Sequence, residues 1–195
     1  MSSAMPRLIL ASQSPRRRDL LAMIGVVPDS IEPANIDETP MQGELPGPHA
    51  ARLARGKAMA VSVTAPEALV LGSDTVVGVG RRILPKTEDA ATARECLELI
   101  SGRSHRVYTG VCLAGPEGRL AERLVETRVK VRNLSAQDID AYIASGEWDG
   151  KAGGYGIQGA FAAHVVSIIG SHPSVVGLPL YETLNLLRGA GWKAA

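Results

Sequence analysis

Aromatic side chains make up only 4% of this 195-residue chain, with one Phe, two Trp and four Tyr. That leaves no supply of stacking platforms for single-stranded nucleic acid. Charge of one sign is also missing: 21 Lys and Arg face 20 Asp and Glu, a formal net charge of +1. No global field therefore exists to hold a nucleic acid or an anionic membrane, and any anion must be bound locally. Cysteine is reduced to Cys96 and Cys112, without the paired spacing of a zinc site or the density of a secreted scaffold; both read as reduced packing residues. The apolar run before Ser12 is too short for a signal peptide, and no run approaches membrane-spanning length, so the expectation is a soluble, cytoplasmic protein. None of His49, His105, His164 and His172 stands four residues from another, and neither a G-x-S-x-G elbow nor a Walker A sequence occurs. A helix-borne zinc pair, acyl transfer and P-loop chemistry are poor fits.

What is present starts with a core: 45% of residues are hydrophobic and no low-complexity linker interrupts them, which predicts one domain over residues 1–195. The stretch Leu8-Ile9-Leu10-Ala11-Ser12-Gln13-Ser14-Pro15-Arg16-Arg17-Arg18 reads as a buried strand, a tight turn and a helix. Pro15 suits a first helical position and Ser14 the N-cap, with Leu20, Leu21 and Ile24 facing inward. The first turn of a helix carries partial positive charge, yet Arg16, Arg17 and Arg18 crowd into it. Either an anion such as a phosphate is shared among them, or they splay into solvent.

Asp37-Glu38 ends an extended stretch from Ser30 and offers either a hard-metal ligand pair or a solvated loop. A Pro- and Gly-rich loop follows to Pro48, then a helix from about Ala50 to Val63 in which Lys57 shares a face with Leu53 and Val61. Such a lysine ordinarily snorkels. The near-continuous apolar run Ala68–Val79 predicts a strand covered on both faces. Asp74 in its middle needs a metal, a positive partner or several donors, unless it is bonded into a bulge at Gly72-Ser73. A hairpin leads to Pro85-Lys86. Thr87 then reads as the N-cap of a helix carrying Ala93, Cys96, Leu97 and Ile100. Two strands, Val107–Leu113 and Arg119–Val131, form a half-wet hairpin, and Ser135 with Asp138 marks another helix start. Glycines in Lys151–Gly159 let the backbone approach a ligand; a strand over Phe161–Ile169 and a helix over Leu180–Leu187 close the chain.

The ordered motifs Ala11-Ser12-Gln13-Ser14-Pro15-Arg16-Arg17, Asp37-Glu38, Ala54-Arg55-Gly56-Lys57-Ala58, Gly72-Ser73-Asp74-Thr75-Val76-Val77, Pro85-Lys86 and Tyr155-Gly156-Ile157-Gln158-Gly159 resemble the Maf family over nearly the whole chain. The resemblance implies an α/β fold, a strongly bent mixed β-sheet flanked by helices, with two lobes around one deep central cleft, and a homodimer. It implies hydrolysis of a nucleoside triphosphate between its α- and β-phosphates with a divalent cation, Mg²⁺ or Mn²⁺. Position by position, Ser12, Ser14 and Arg17 resemble the phosphate cradle, Asp74 the proposed general base, and Glu38, Lys57 and Lys86 the other polar groups of the cleft. Glu38 and Asp74 are the implied metal ligands. Arg16, Thr75 and Gln158 resemble the set of the dTTP/UTP-specific subgroup, not the 7-methyl-GTP one. Two residues depart from the pattern: Gly56 stands where Glu is common and Ser73 where Ala is common, and Gly56 loosens the expected Lys57 helix. The same reaction on another or modified base, and a nucleotide-binding regulator of division without turnover, remain the alternatives; an RNA-binding module fits neither the charge nor the aromatic content.

Overall fold

The structure, a computed structural model, describes residues 6–193. Among them, seven strands form one mixed sheet: β1 (Leu8–Leu10), β2 (Ser30–Ile31), β3 (Leu69–Val79), β4 (Arg82–Leu84), β5 (Ser104–Ala114), β6 (Leu120–Val131) and β7 (Val165–Ile169). The helices are α1 (Pro15–Met23), α2 (Pro46–Ser62), α3 (Ala90–Ile100), α4 (Ala136–Ser145), α5 (His172–Val176) and α6 (Leu180–Gly189). Strand order is β2-β1-β3-β5-β6-β7, with β4 also on β3. β1 runs parallel to β2 and β3, and the other pairs are antiparallel. Parallel neighbours need crossovers, which α1 and α2 supply. The helix-flanked mixed α/β sheet expected from the sequence is what the chain forms.

Period-two alternation sorts the core into layers. Leu8, Leu10, Leu69, Leu71, Val111 and Leu113 face Leu20 and Leu21 of α1 and Leu186 and Leu187 of α6. Ile9, Val70, Cys112 and Ala114 turn the other way, onto Ala54, Ala58 and Val61 of α2. A further cluster joins Val77, Val107, Val129 and Val131 to Cys96, Leu97 and Ile100 of α3, Tyr142 of α4 and Phe161. Cys96 and Cys112 are free and buried. No helix among the described residues is long and apolar enough to cross a membrane.

Several local expectations change. α2 begins at Pro46 instead of Ala50, because Pro46 and Pro48 fall in a first turn whose N–H groups need no helical partner. It runs unbroken through Gly56, so the expected loosening does not occur. The cap of α3 is Asp89, whose carboxylate accepts from Thr92 N at 2.7 Å. Thr87 is instead buried, its hydroxyl donating to the Trp148 carbonyl at 2.7 Å. The Ser135–Asp138 capping box forms as read. Only Val165–Ile169 of the last expected strand is extended; Ala160–His164 is a 3₁₀ turn.

Glycine lets α2 lie directly on the sheet. A Cβ on Gly72 would stand 2.4 Å from the Ala54 carbonyl oxygen, and one on Gly110 would stand 2.5 Å from that of Ala50. Gly72→Ala is therefore expected to cost about 1–3 kcal/mol of stability and to lift α2 with it. A lower urea midpoint in the variant, beside one not lowered for Gly189→Ala, checks this; Gly189, in α6, has no atom within 4 Å of its Cβ position and no left-handed φ.

Candidate active site

β3 is paired with β5 from Val70 to Gly78, but its opposite edge changes partner. Leu69–Leu71 pair with β1 and Val77–Val79 with β4, leaving residues 72–76 without a strand beside them. A cleft of about 710 Å³ opens at this gap, where the carboxyl end of parallel strand β1 leads into the turn before α1, the usual place for a ligand in an α/β sheet. Ser12, Ser14, Arg16, Arg17, Glu38, Lys57, Asp74, Thr75, Lys86 and Gln158 all line it.

At the floor, Lys57 Nζ stands 2.6 Å from Asp74 Oδ1 and 2.7 Å from Glu38 Oε1. Lys57 does not snorkel: its side chain is 10% exposed and Asp74's 11%. Gly72 and Asp74 share the sheet face beneath α2, so the close helix seat that Gly72 permits is also what brings Lys57 down onto Asp74. Partial burial works to raise the Glu38 carboxyl, yet the Lys57 hydrogen bond and the charges of Lys57, Lys86 and Arg17 outweigh it and hold Glu38 below its usual range. The acidic pair splits. Asp37 turns away and accepts from Thr39 N at 2.9 Å.

Ser14 occupies the N-cap position but its hydroxyl caps nothing. Instead its amide donates to Ser12 Oγ at 3.2 Å, and Arg17 Nη1 donates to the same oxygen at 2.9 Å. Both lone pairs of Ser12 are thus taken, which leaves its proton to donate outward. Arg17 is buried, its Nε donating 2.8 Å to the Gly177 carbonyl, and burial lowers its pKa. Ser73, one of the two departures, donates to the Gly110 carbonyl at 2.8 Å and to that of Gly177 at 3.2 Å. Arg16 reaches the cleft half-buried, with a pKa lowered by that burial, while Arg18 stays exposed beside Asp19. The three arginines therefore divide into a buried tie, a cleft cation and a solvated side chain.

The far wall comes from two segments clipped together. Gly150 N donates to the Thr87 carbonyl at 2.8 Å, Gly153 N to that of Pro85 at 2.9 Å, and Lys86 bridges Ala152. Lys86 is thereby held at the open side of the cleft, exposed. Tyr155 and Ile157 are buried anchors of the glycine-rich segment, and Gln158 between them and the solvent is exposed. Tyr155 Oη lies 2.6 Å from His105 Nε2. The Thr75 hydroxyl lies 3.1 Å from that of Thr109.

Two basic residues of the cleft, Lys151 and His49, lie outside the expected site set. Lys151 was passed over for the glycines that follow it. His49 lies under the proline-rich loop, where Glu44 accepts from Arg52 Nε at 2.7 Å and stands 2.8 Å from His49 Nδ1. The Arg52 hydrogen bond, outweighing burial, brings the Glu44 pKa down to about 2. The available signal was His49 and Arg52, three apart on α2.

Among the described residues no three His, Cys, Asp or Glu side chains converge as a metal cage. Glu38 and Asp74 nonetheless each give only one oxygen to Lys57, so each keeps an oxygen for another partner. Carboxylate oxygens are the hard donors that a hydrated divalent ion such as Mg²⁺ takes, so these two residues fit one.

Residues 7–190 match the model of the family described as Maf-like protein. A Maricaulis maris protein named dTTP/UTP pyrophosphatase is 63% identical over 187 residues, covering 96% of this chain and 89% of its own. One of the same name from Caulobacter vibrioides is 58% identical and covers 98% and 99%. The structure of a HAM1 protein from Coxiella burnetii superposes with a TM-score of 0.52 at 16% identity, over 95% of this chain and all of that one, a likeness of fold alone.

His105 is 2% exposed, and burial pushes its pKa down to about 4 from 6.5. The unfolded chain takes up a proton there that the folded state refuses. Stability is therefore full above pH ~6.5 and falls as pH drops toward ~4, by up to about 3 kcal/mol. His105→Asn, which cannot titrate, is expected to lack this part of the slope; urea midpoints at neutral pH and near pH 4.5 for both proteins measure it.

Proposed function

The chain belongs to the Maf family, and from that membership we propose that it is a pyrophosphatase of dTTP and UTP, releasing the nucleoside monophosphate and pyrophosphate. The observation that carries the chemistry is the Asp74–Lys57–Glu38 group at the floor of a cleft whose rim is the Ser12-to-Arg17 turn. A water oxygen attacks the α-phosphorus, the bond to the oxygen bridging α and β breaks, and pyrophosphate leaves with the electron pair. Asp74, through the oxygen that Lys57 does not use, either accepts the water's proton or orients the water through the divalent cation it would hold. Lys57, Arg17 and Lys86 bear the negative charge that grows on the phosphates, a task of position and electrostatics. Ser12 and Ser14 donate to phosphate oxygens. Glu38 and Asp74 would hold the divalent cation, Mg²⁺ or Mn²⁺, which when bound neutralises charge on the phosphate oxygens. Arg16, Thr75 and Gln158 choose the base, Gln158 through an amide that both donates and accepts. The chain acts as one cytoplasmic domain of two lobes around the cleft, in a homodimer.

Purified protein with Mg²⁺ and a panel of dTTP, UTP, CTP, GTP and 7-methyl-GTP is expected to give pyrophosphate with dTMP or UMP, and little from the others. Nucleoside diphosphate with free phosphate would overturn the bond assignment, and tight binding without turnover would favour a regulator. Asp74→Asn is expected to stay folded, since Lys57 keeps Glu38, and to lose at least about 10³-fold in kcat. Near-normal turnover removes Asp74 from the mechanism. Gln158→Glu is expected to weaken pyrimidine selectivity, which the same panel reads.

A further inference from the structure

The loop that carries Glu38 rests on α2 at two places one helical turn apart. At Gly56, where the chain departs from the family pattern, Ile36 Cδ1 lies 3.2 Å from the place a Cβ would take, so the missing side chain makes room for Ile36. At Arg52 the contact is polar. Its Nε donates to Glu44 Oε1 at 2.7 Å, and its Nη2 donates to Glu44 Oε2 at 2.9 Å and to the Thr39 carbonyl at 3.0 Å. The guanidinium thus closes on both oxygens of one carboxylate and reaches the residue after Glu38. Glu44 also accepts from Met41 N at 2.9 Å, while its own amide donates to the Met41 carbonyl at 3.0 Å. His49 Nδ1 stands 2.8 Å from Glu44 Oε2 and 3.0 Å from Arg52 Nη2. A proton assigned to Nδ1 goes to the carboxylate, which leaves the two Nη2 protons of Arg52 for Glu44 and Thr39. Every donor then has an acceptor.

Glu38 itself is held more lightly. Its side chain is 48% exposed, and among the described residues its one ion-pair partner is Lys57. A single pair at that exposure fixes a flexible side chain weakly. The placement of Glu38 therefore comes from the backbone on either side of it. We propose that Arg52 and Glu44 are positioning residues for the reaction, fixing Thr39 and Met41 so that the loop presents Glu38 to Lys57 and the cleft. Neither of the two lines the cleft, so both act through Glu38. The inference rests on the reading of Glu38 as a working group of the active site. Positive charge at 52 is not enough, because a lysine offers one nitrogen where the planar fork holds two carboxylate oxygens and a carbonyl.

The test is a double-mutant cycle read as kcat/KM for dTTP. Arg52→Lys and Glu44→Gln are each expected to lower it at least about tenfold, as misplacing a group of the site does. In a Glu38→Gln background the same two changes are expected to cost less than about threefold, since the residue they position is already gone. Losses that multiply across the cycle would overturn the proposal, as would single variants with near wild-type turnover. A Glu38→Gln enzyme of wild-type kcat/KM would instead defeat the reading of Glu38 on which this rests. Amide hydrogen exchange separates a local effect from a failure to fold. Faster exchange confined to residues 39–44, with β3 amides unchanged, is expected in both single variants. Exchange that rises throughout the molecule in both would overturn the proposal, the two residues then serving the fold alone.

Discussion

One ammonium, Lys57 Nζ, joins two carboxylates that arrive from different parts of the chain, Asp74 from the middle of β3 and Glu38 from the loop before α2. Removing Lys57 leaves two carboxylates in partial burial without their counterpart, which is costly, whereas removing either carboxylate leaves the ammonium paired with the other. Much of the structure serves that contact. Gly72 and Gly110 let α2 sit on the sheet closely enough to deliver Lys57. On the other side, Glu44 ties the loop that carries Glu38 back onto α2 through His49 and Arg52. The group is therefore fixed by packing from below and by hydrogen bonds from above, and it meets the cleft with one oxygen of each carboxylate uncommitted.

The cleft itself follows from how β3 is shared. A strand of eleven residues is longer than either partner on its outer edge, so β1 and β4 cover its ends and leave its middle open. Asp74 lies in that opening. The walls are then built from segments without regular structure, each held by hydrogen bonds to backbone: the Ser12–Ser14 turn by Ser12 Oγ, Arg17 and Gly177; the Pro85–Thr87 segment by Gly150 and Gly153. Backbone anchoring of this kind leaves side chains such as Lys86, Lys151 and Gln158 free to face a ligand.

The parts of this fold that were legible are those written in short-range pattern. The apolar run of β3, the stripe of α3, the Ser135–Asp138 box and the helical stripe that puts Lys57 among apolar neighbours all depend on residues a few positions apart. The errors were of one kind. Thr87 was read as a cap because threonine before acids is a local signal, but its hydroxyl goes to Trp148, far along the chain. Ser14 sits at the cap position and does not cap, since Ser12 and Arg17 reorganise the turn. In the glycine-rich stretch, flexibility was visible and the lysine beside it was not.

By itself the sequence determined the element types, the family motifs and the demand that Asp74, placed in a buried strand, find a positive partner, because burial of a charge has a cost wherever it occurs. Only the tertiary structure decided that the partner is Lys57, that Glu38 shares it while its neighbour Asp37 does not, and that Arg17 is a buried tie while Arg18 is solvated. Residues of like charge in adjacent positions received different roles. The reason is geometric: which of several equivalent charges is desolvated depends on the approach of distant backbone, here Gly72 beneath α2 and Gly177 beside α1, and no local pattern encodes that approach.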